Sequence, residues 1–194
     1  MLPEFKEQSG QSQAEQALNR VEQLLETWRE KLNKPQPSEK TLVSGENPLI
    51  FPYAKRRIML TGNGCPDVLD ISVHPDELLE VVQTLLDGDW GYLITITGLD
   101  LGPEAGEIEI LYHFAEGAAV VTLSIRVERE TAVIPSICSL IPSASFFERE
   151  LVEMLGITIL NTPNTNHLFL PDDWPADTYP LRKEFNSENQ HAAT

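Results

Sequence analysis

The chain has 194 residues, 41% of them apolar and 23% charged, a globular composition with room for one domain of sizeable core plus an extension. Its net charge is −16, and between residues 58 and 125 twelve acids stand with no lysine or arginine. Phosphate recognition needs clustered cations, so this balance argues against nucleic acid and reads as a solvated, solubilising face. Cys65 and Cys138 lie far apart and lack the roughly four close ligands of a structural zinc or iron–sulfur site. The N-terminal MLPEFKEQSG has no apolar signal-peptide core, and no run approaches the roughly 18 apolar residues that span a bilayer. A cytoplasmic chain with free thiols is expected, one that meets a membrane only through a partner.

In chain order, residues 12–33 predict a helix, because Leu18, Val21, Leu25, Trp28 and Leu32 recur at alternating three- and four-residue spacing with charges elsewhere. The stretch KPQPSEKTLVSGENP that follows has linker composition. Such a stripe packs either on its own domain or on another subunit; the tether favours a docking element for a neighbouring subunit, so residues 1–49 are assigned to a helix and linker outside the body. The body spans residues 50–185. KRRIML and VLDISV read as short strands on either side of TGNGCPD, and HPDELLEVVQTLLDGDW as a helix opened by Pro75 and stopped by Gly88. YLITITGLDL, EIEILYHFA and AAVVTLSIRV, joined by GPEAG and EG, predict an antiparallel meander. ASFFERELVEMLG is a further helix, with Ser143 or Ser145 as cap, Glu148 placed for a capping box and Gly156 at its end. The fold class is α+β: an antiparallel sheet of about four strands with helices on one face, a helical N-terminal extension and an irregular C-terminal segment. Residues 186–194 read as a disordered tail.

The segment HLFLPDDWPADTYPLRKEF, residues 167–185, has three prolines that forbid a continuous helix or central strand. Leu168, Phe169, Leu170, Trp174 and Tyr179 make it too apolar for a solvated tail, so it wants a surface to lie on. The densest charge cluster, Glu148, Arg149, Glu150 and Glu153, sits on the preceding helix. Glu148 and Glu150 project about 200° apart around a helix, which defeats a catalytic dyad and favours an ion-pair network. Charge complementarity predicts Asp172 or Asp173 as partners of Arg149, and Arg182 or Lys183 as partners of the glutamates. No nucleotide loop, metal spacing or catalytic constellation emerges, and His113 reads as a half-buried strand residue.

Three ordered motifs, FFERELVEMLGI at 146–157, LFLPDDW at 168–174 and PLRKEF from Pro180, resemble the 30-kDa-type subunit of complex I. This module belongs to the bacterial NADH–quinone oxidoreductases, and it recurs in energy-converting membrane-bound nickel–iron hydrogenases and formate hydrogenlyases. The resemblance extends more weakly to about residue 65 and leaves the N-terminal helix outside. It implies a subunit without cofactor, catalytic residue or metal. Its implied partners are a large subunit of the 49-kDa or hydrogenase type and a small iron–sulfur subunit. The nickel–iron centre, Fe–S clusters or quinone belong to those partners. The implied location is the peripheral arm on the cytoplasmic side of the inner membrane. Asn161-Thr162-Pro163-Asn164, where quinone-type members carry Gly-His-Pro-Asp, is similar to the hydrogenase branch. The competing class is a stand-alone acidic adaptor, which would explain the charge but not the three motifs; an independent enzyme ranks third.

Overall fold

The computed structural model describes residues 13–31, 54–57 and 67–185. Helix α1 (Gln13–Lys31) is followed by strands β1 (Ala54–Arg57) and β2 (Asp67–Ser72) and, after a 3-10 turn at Pro75–Glu77, by helix α2 (Leu78–Asp87). Strands β3 (Tyr92–Asp100), β4 (Glu107–Glu116) and β5 (Ala119–Glu128) form the expected meander. A short β6 (Val133–Pro135), helix α3 (Ala144–Leu155) and β7 (Thr158–Leu160) complete the regular elements.

The α+β class holds. Five strands form one sheet in the order β1-β2-β5-β4-β3. Its pairings are antiparallel except β2 with β5, which run parallel because α2 carries the chain to the far edge and the meander returns β5 alongside β2. A second, two-stranded sheet pairs β6 with β7.

Strand alternation decides which face is covered. Ile108, Ile110, Tyr112 and Phe114 of β4 lie opposite Val127, Ile125, Leu123 and Val121 of β5, and all are buried. Leu69 and Ile71 of β2 extend that face. All three helices cover it. Leu78, Val81, Val82 and Leu85 of α2 join the same cluster as Leu151 and Leu155 of α3. Gly98 of β3 lets α3 approach, since a Cβ there would stand 2.2 Å from the Leu155 Cδ1. The opposite face is mixed, with half-buried Leu111 and Val120 among polar side chains. There His113 Nδ1 lies 3.1 Å from Thr122 Oγ1, and the Ser124 hydroxyl donates to Glu109 at 2.7 Å.

The structure corrects the reading of the N-terminal helix. Leu18, Val21 and Leu25 are fully buried in the core of their own domain, against α2, β2 and β5. The Trp90 indole N–H, 73 residues away, donates to the Ala17 carbonyl at 2.8 Å. The apolar stripe is therefore core, not a docking face, and α1 belongs to the body. Periodicity reports that a stripe is buried but not against what. The Trp28 side chain, Leu32, the linker, the turn holding Cys65 and the tail 186–194 lie outside the described residues.

Tyr112 is buried with no hydrogen-bond partner for its hydroxyl, and burial together with the Glu148 charge pushes its pKa up. Two urea titrations check this core. Leu18→Ala should cost about 2–5 kcal/mol if the helix is core. Tyr112→Phe should fall within about 1 kcal/mol of the native chain, because no bond is lost with the hydroxyl.

Candidate functional site

Helix α3 organises the C-terminal third of the chain. It begins after Ser143 and ends at Gly156, whose φ of 67° is the left-handed conformation glycine adopts freely. Gly156 also faces Tyr179, whose ring atoms stand 2.5 Å from where a Cβ would be. The Ser145 capping box does not form: Ser143 is the cap position, it makes no side-chain bond, and Glu148 is turned inward.

Glu148 is 1% exposed. Its carboxylate accepts from the Ser136 hydroxyl at 2.8 Å, the Ile137 amide at 2.8 Å and the Cys138 thiol at 3.2 Å. Burial pushes the Cys138 thiol up, and the adjacent Glu148 carboxylate adds to the rise, so the thiol stays protonated. Five residues on, Glu153 is 5% exposed and accepts from the amides of Leu168 at 2.8 Å and Phe169 at 3.0 Å. These two carboxylates therefore hold two irregular stretches, 136–138 and 168–170, against one helix.

The expected ion pairs do not form. Arg149 donates to the backbone carbonyls of Asn166 at 2.8 Å and His167 at 2.6 Å, while Asp172 and Asp173 are exposed. Arg182 donates to the carbonyl of Leu155 at 2.6 Å and that of Arg129 at 3.1 Å, and its guanidinium lies over the Tyr179 ring. The Lys183 ammonium reaches the Leu101 carbonyl at 2.9 Å. Charge complementarity misled because the helix and the segment meet through backbone groups, whose unpaired N–H and C=O must be satisfied on docking. A guanidinium fork serves two carbonyls as readily as two carboxylate oxygens. Glu150 is half-buried beside Leu181 and Met154 in the cleft between α3 and β3.

The buried ion pair lies elsewhere and joins residues that carried no sequence signal. Arg129 binds Asp100 through two N–H groups, at 2.8 and 3.0 Å, with both side chains nearly inaccessible. Asp100 also accepts from the amides of Gly102 at 2.9 Å and Lys183 at 2.8 Å, and Arg129 reaches Glu184 as well. The Arg129 bonds hold the Asp100 carboxyl well below the usual carboxylate range; burial opposes them and the two amides reinforce them. The same guanidinium lowers Glu184. In sequence, Asp100 reads as one acid among twelve, and Arg129 stands between Glu128 and Glu130 three residues after Arg126.

Segment 167–185 thus lies on its own domain along one side. Trp174 donates its indole N–H to the Thr178 carbonyl at 2.8 Å and packs near Phe185, centroids 6.4 Å apart. The Leu181 amide donates to the Met154 carbonyl at 3.0 Å, beside half-buried Pro180. Leu168 and Leu170 are half-buried, whereas Phe169 is 64% and Leu181 52% exposed. Helix α3 adds Phe146, 60% exposed. Between α3 and the segment runs a groove of about 390 Å³, lined in part by Val152, His167, Trp174 and Tyr179. Among the described residues no three His, Cys, Asp or Glu side chains converge as a metal site would require.

Asp100 has a pH signature. Its folded pKa lies below its unfolded value near 3.9, so its contribution is complete above about pH 4 and is lost as pH falls further. Asp100→Asn should cost about 3–5 kcal/mol at neutral pH by stranding Arg129. Urea midpoints followed downward should show that gap narrowing below about pH 4.

The model of the family described as "Respiratory-chain NADH dehydrogenase, 30 Kd subunit" matches residues 71–191. Formate hydrogenlyase subunit 5 of Escherichia coli is 31% identical over 130 residues, covering 66% of this chain and 23% of that one. An NADH-quinone oxidoreductase subunit of Ruegeria pomeroyi is 32% identical over 121 residues, covering 60% of each chain. The chain therefore spans less than two thirds of either relative. A chain in the structure of a membrane-bound sulfane sulfur reductase, an archaeal respiratory membrane complex, shares the fold with a TM-score of 0.63 at 20% identity over 89% of both chains. Among the described residues no helix is long and apolar enough to cross a membrane. The three motifs, the α+β fold and the family match agree, and the chain belongs to the complex I 30-kDa subunit family.

Proposed function

We propose that this chain is a non-catalytic subunit of the hydrophilic arm of a membrane-associated, ion-translocating redox complex. It packs on the large catalytic subunit, through the outer side of segment 167–185. The observation that carries this reading is the two-sided character of that segment. Its backbone is fixed to α3 and β3 by Glu153, Arg149, Asp100 and Met154, while Phe169 and Leu181 turn large apolar side chains to solvent. A segment already held in place loses little conformational entropy on docking, and exposed aromatic anchors suit an interface.

In this reading the redox groups (a nickel–iron centre, Fe–S clusters or a quinone site) sit in two partners, a large subunit and a small Fe–S subunit. The chain reaches the membrane only through the complex, on its cytoplasmic side. The hydrogenase-type arm is favoured by the Asn161-Thr162-Pro163-Asn164 stretch. The second reading, the 30-kDa-type subunit of an NADH–quinone oxidoreductase, is supported by the comparable identity of the Ruegeria pomeroyi relative.

Affinity purification from the native membranes should bring a large subunit and an Fe–S subunit, identified by mass spectrometry. Phe169→Glu should lower their yield about tenfold or more, the loss of one buried aromatic anchor, with the melting temperature of the isolated chain unchanged. Full retention of the large subunit by that variant would rule this surface out.

A further inference from the structure

β3 is the outermost strand of the main sheet, and its free edge carries few of the devices that keep edges solitary. Residues 92–99, YLITITGL, include no charge and no proline, and four of the eight are β-branched. The one irregularity is a register shift between Leu93 and Thr95. Tyr92 is 67%, Ile94 43% and Leu99 49% exposed. Among the described residues, no backbone group outside β4 hydrogen-bonds to the backbone of 92–99. A cleft of about 110 Å³ runs beside the strand, walled by Thr95, Thr97, Gly98, Glu150, Met154 and Leu181.

We propose that β3 is a strand-acceptor site. An extended, uncharged or β-branched segment of a partner polypeptide, flanked by lysine or arginine, adds to the free edge of the sheet. Main-chain hydrogen bonds would supply affinity, and the cleft beside α3 would seat an alternate side chain and set the register. Charge selects the occupant. The chain carries a net charge of −16, and exposed Asp89 and Glu104 stand near the strand's two ends; of the cations there, Arg20 is paired with Glu116, Arg129 with Asp100, and Lys183 reaches the Leu101 carbonyl. A second copy would bring the same acids to the junction, and like charges juxtaposed there oppose pairing. A basic-flanked segment meets the opposite sign. This inference rests on the assembly reading above for the identity of the partner, but the strand site can be tested separately.

The test is hydrogen–deuterium exchange on residues 92–99, in the isolated full chain and in the complex purified from native membranes. Alternate amides of an unpaired edge face solvent, so in the isolated, monomeric chain about half of this stretch should exchange fast. In the complex that half should slow by roughly tenfold or more. Ile94→Lys, a charge placed on an already exposed position, should reduce partner yield about tenfold or more without lowering the melting temperature. Val133→Lys, on the equally exposed β6, should leave the yield unchanged. Identical exchange in both forms, or full partner retention by Ile94→Lys, overturns the proposal. So does protection in the isolated chain, whether as a monomer covered by its own residues or as a dimer by light scattering. A complex that holds the large subunit yet leaves β3 unprotected sinks the strand site alone. Protection of β3 in a complex without redox subunits sinks the assembly reading and keeps the strand site.

Discussion

Irregular backbone laid against a protein surface buries amides that water can no longer reach, and each must find an acceptor. This chain meets that demand with carboxylates. Glu148, Glu153 and Asp100 each accept backbone N–H groups from a stretch without regular structure: 136–138, 168–170, and the Lys183 region. A carboxylate offers about four lone-pair directions and can serve several amides of one bend, where a neutral side chain serves fewer. The position of α3 against β3 and the course of residues 167–185 both depend on this arrangement.

Cations play the complementary part. Arg149 and Arg182 bind carbonyls, and Arg182 reaches the Leu155 carbonyl near the C-terminal end of α3, where the helix leaves acceptors unpaired and positive charge is favoured. Only Arg129 forms a buried ion pair among the described residues, and it does so where β3, the end of β5 and the C-terminal segment converge. The prolines of the segment lower the number of amides that need acceptors and limit the freedom of the unfolded chain. A segment so held can present Phe169 and Leu181 outward at little further entropic cost.

Much of this was legible in the sequence, at the level where local rules act. Strand alternation in EIEILYHFA, Pro75 before α2 and Gly156 after α3 each mark a local backbone requirement, and each element formed there, although the α2 stretch opens with a 3-10 turn at Pro75–Glu77 and becomes α-helical only at Leu78. The cluster Glu148–Glu153 was visible as the densest group of charges on a helix. Its partners were not legible: they are backbone amides, which every residue carries, so no side-chain identity points to them. Asp100 and Arg129 were hidden for a related reason, being 29 residues apart and joined only through sheet register. The stripe of α1 was read correctly as buried and assigned to the wrong neighbour, since amphipathicity is silent about what covers it.

The central claim is that segment 167–185 is ordered by its own domain before any partner arrives. Amide hydrogen exchange by NMR on the isolated chain tests it directly. The amides of Leu168, Phe169, Leu181 and Lys183 should be protected at neutral pH, because Glu153, Met154 and Asp100 accept from them. Exchange of these four at the rates of an unstructured peptide, with β4 and β5 protected, would contradict the account and make the segment an element ordered only by its partner.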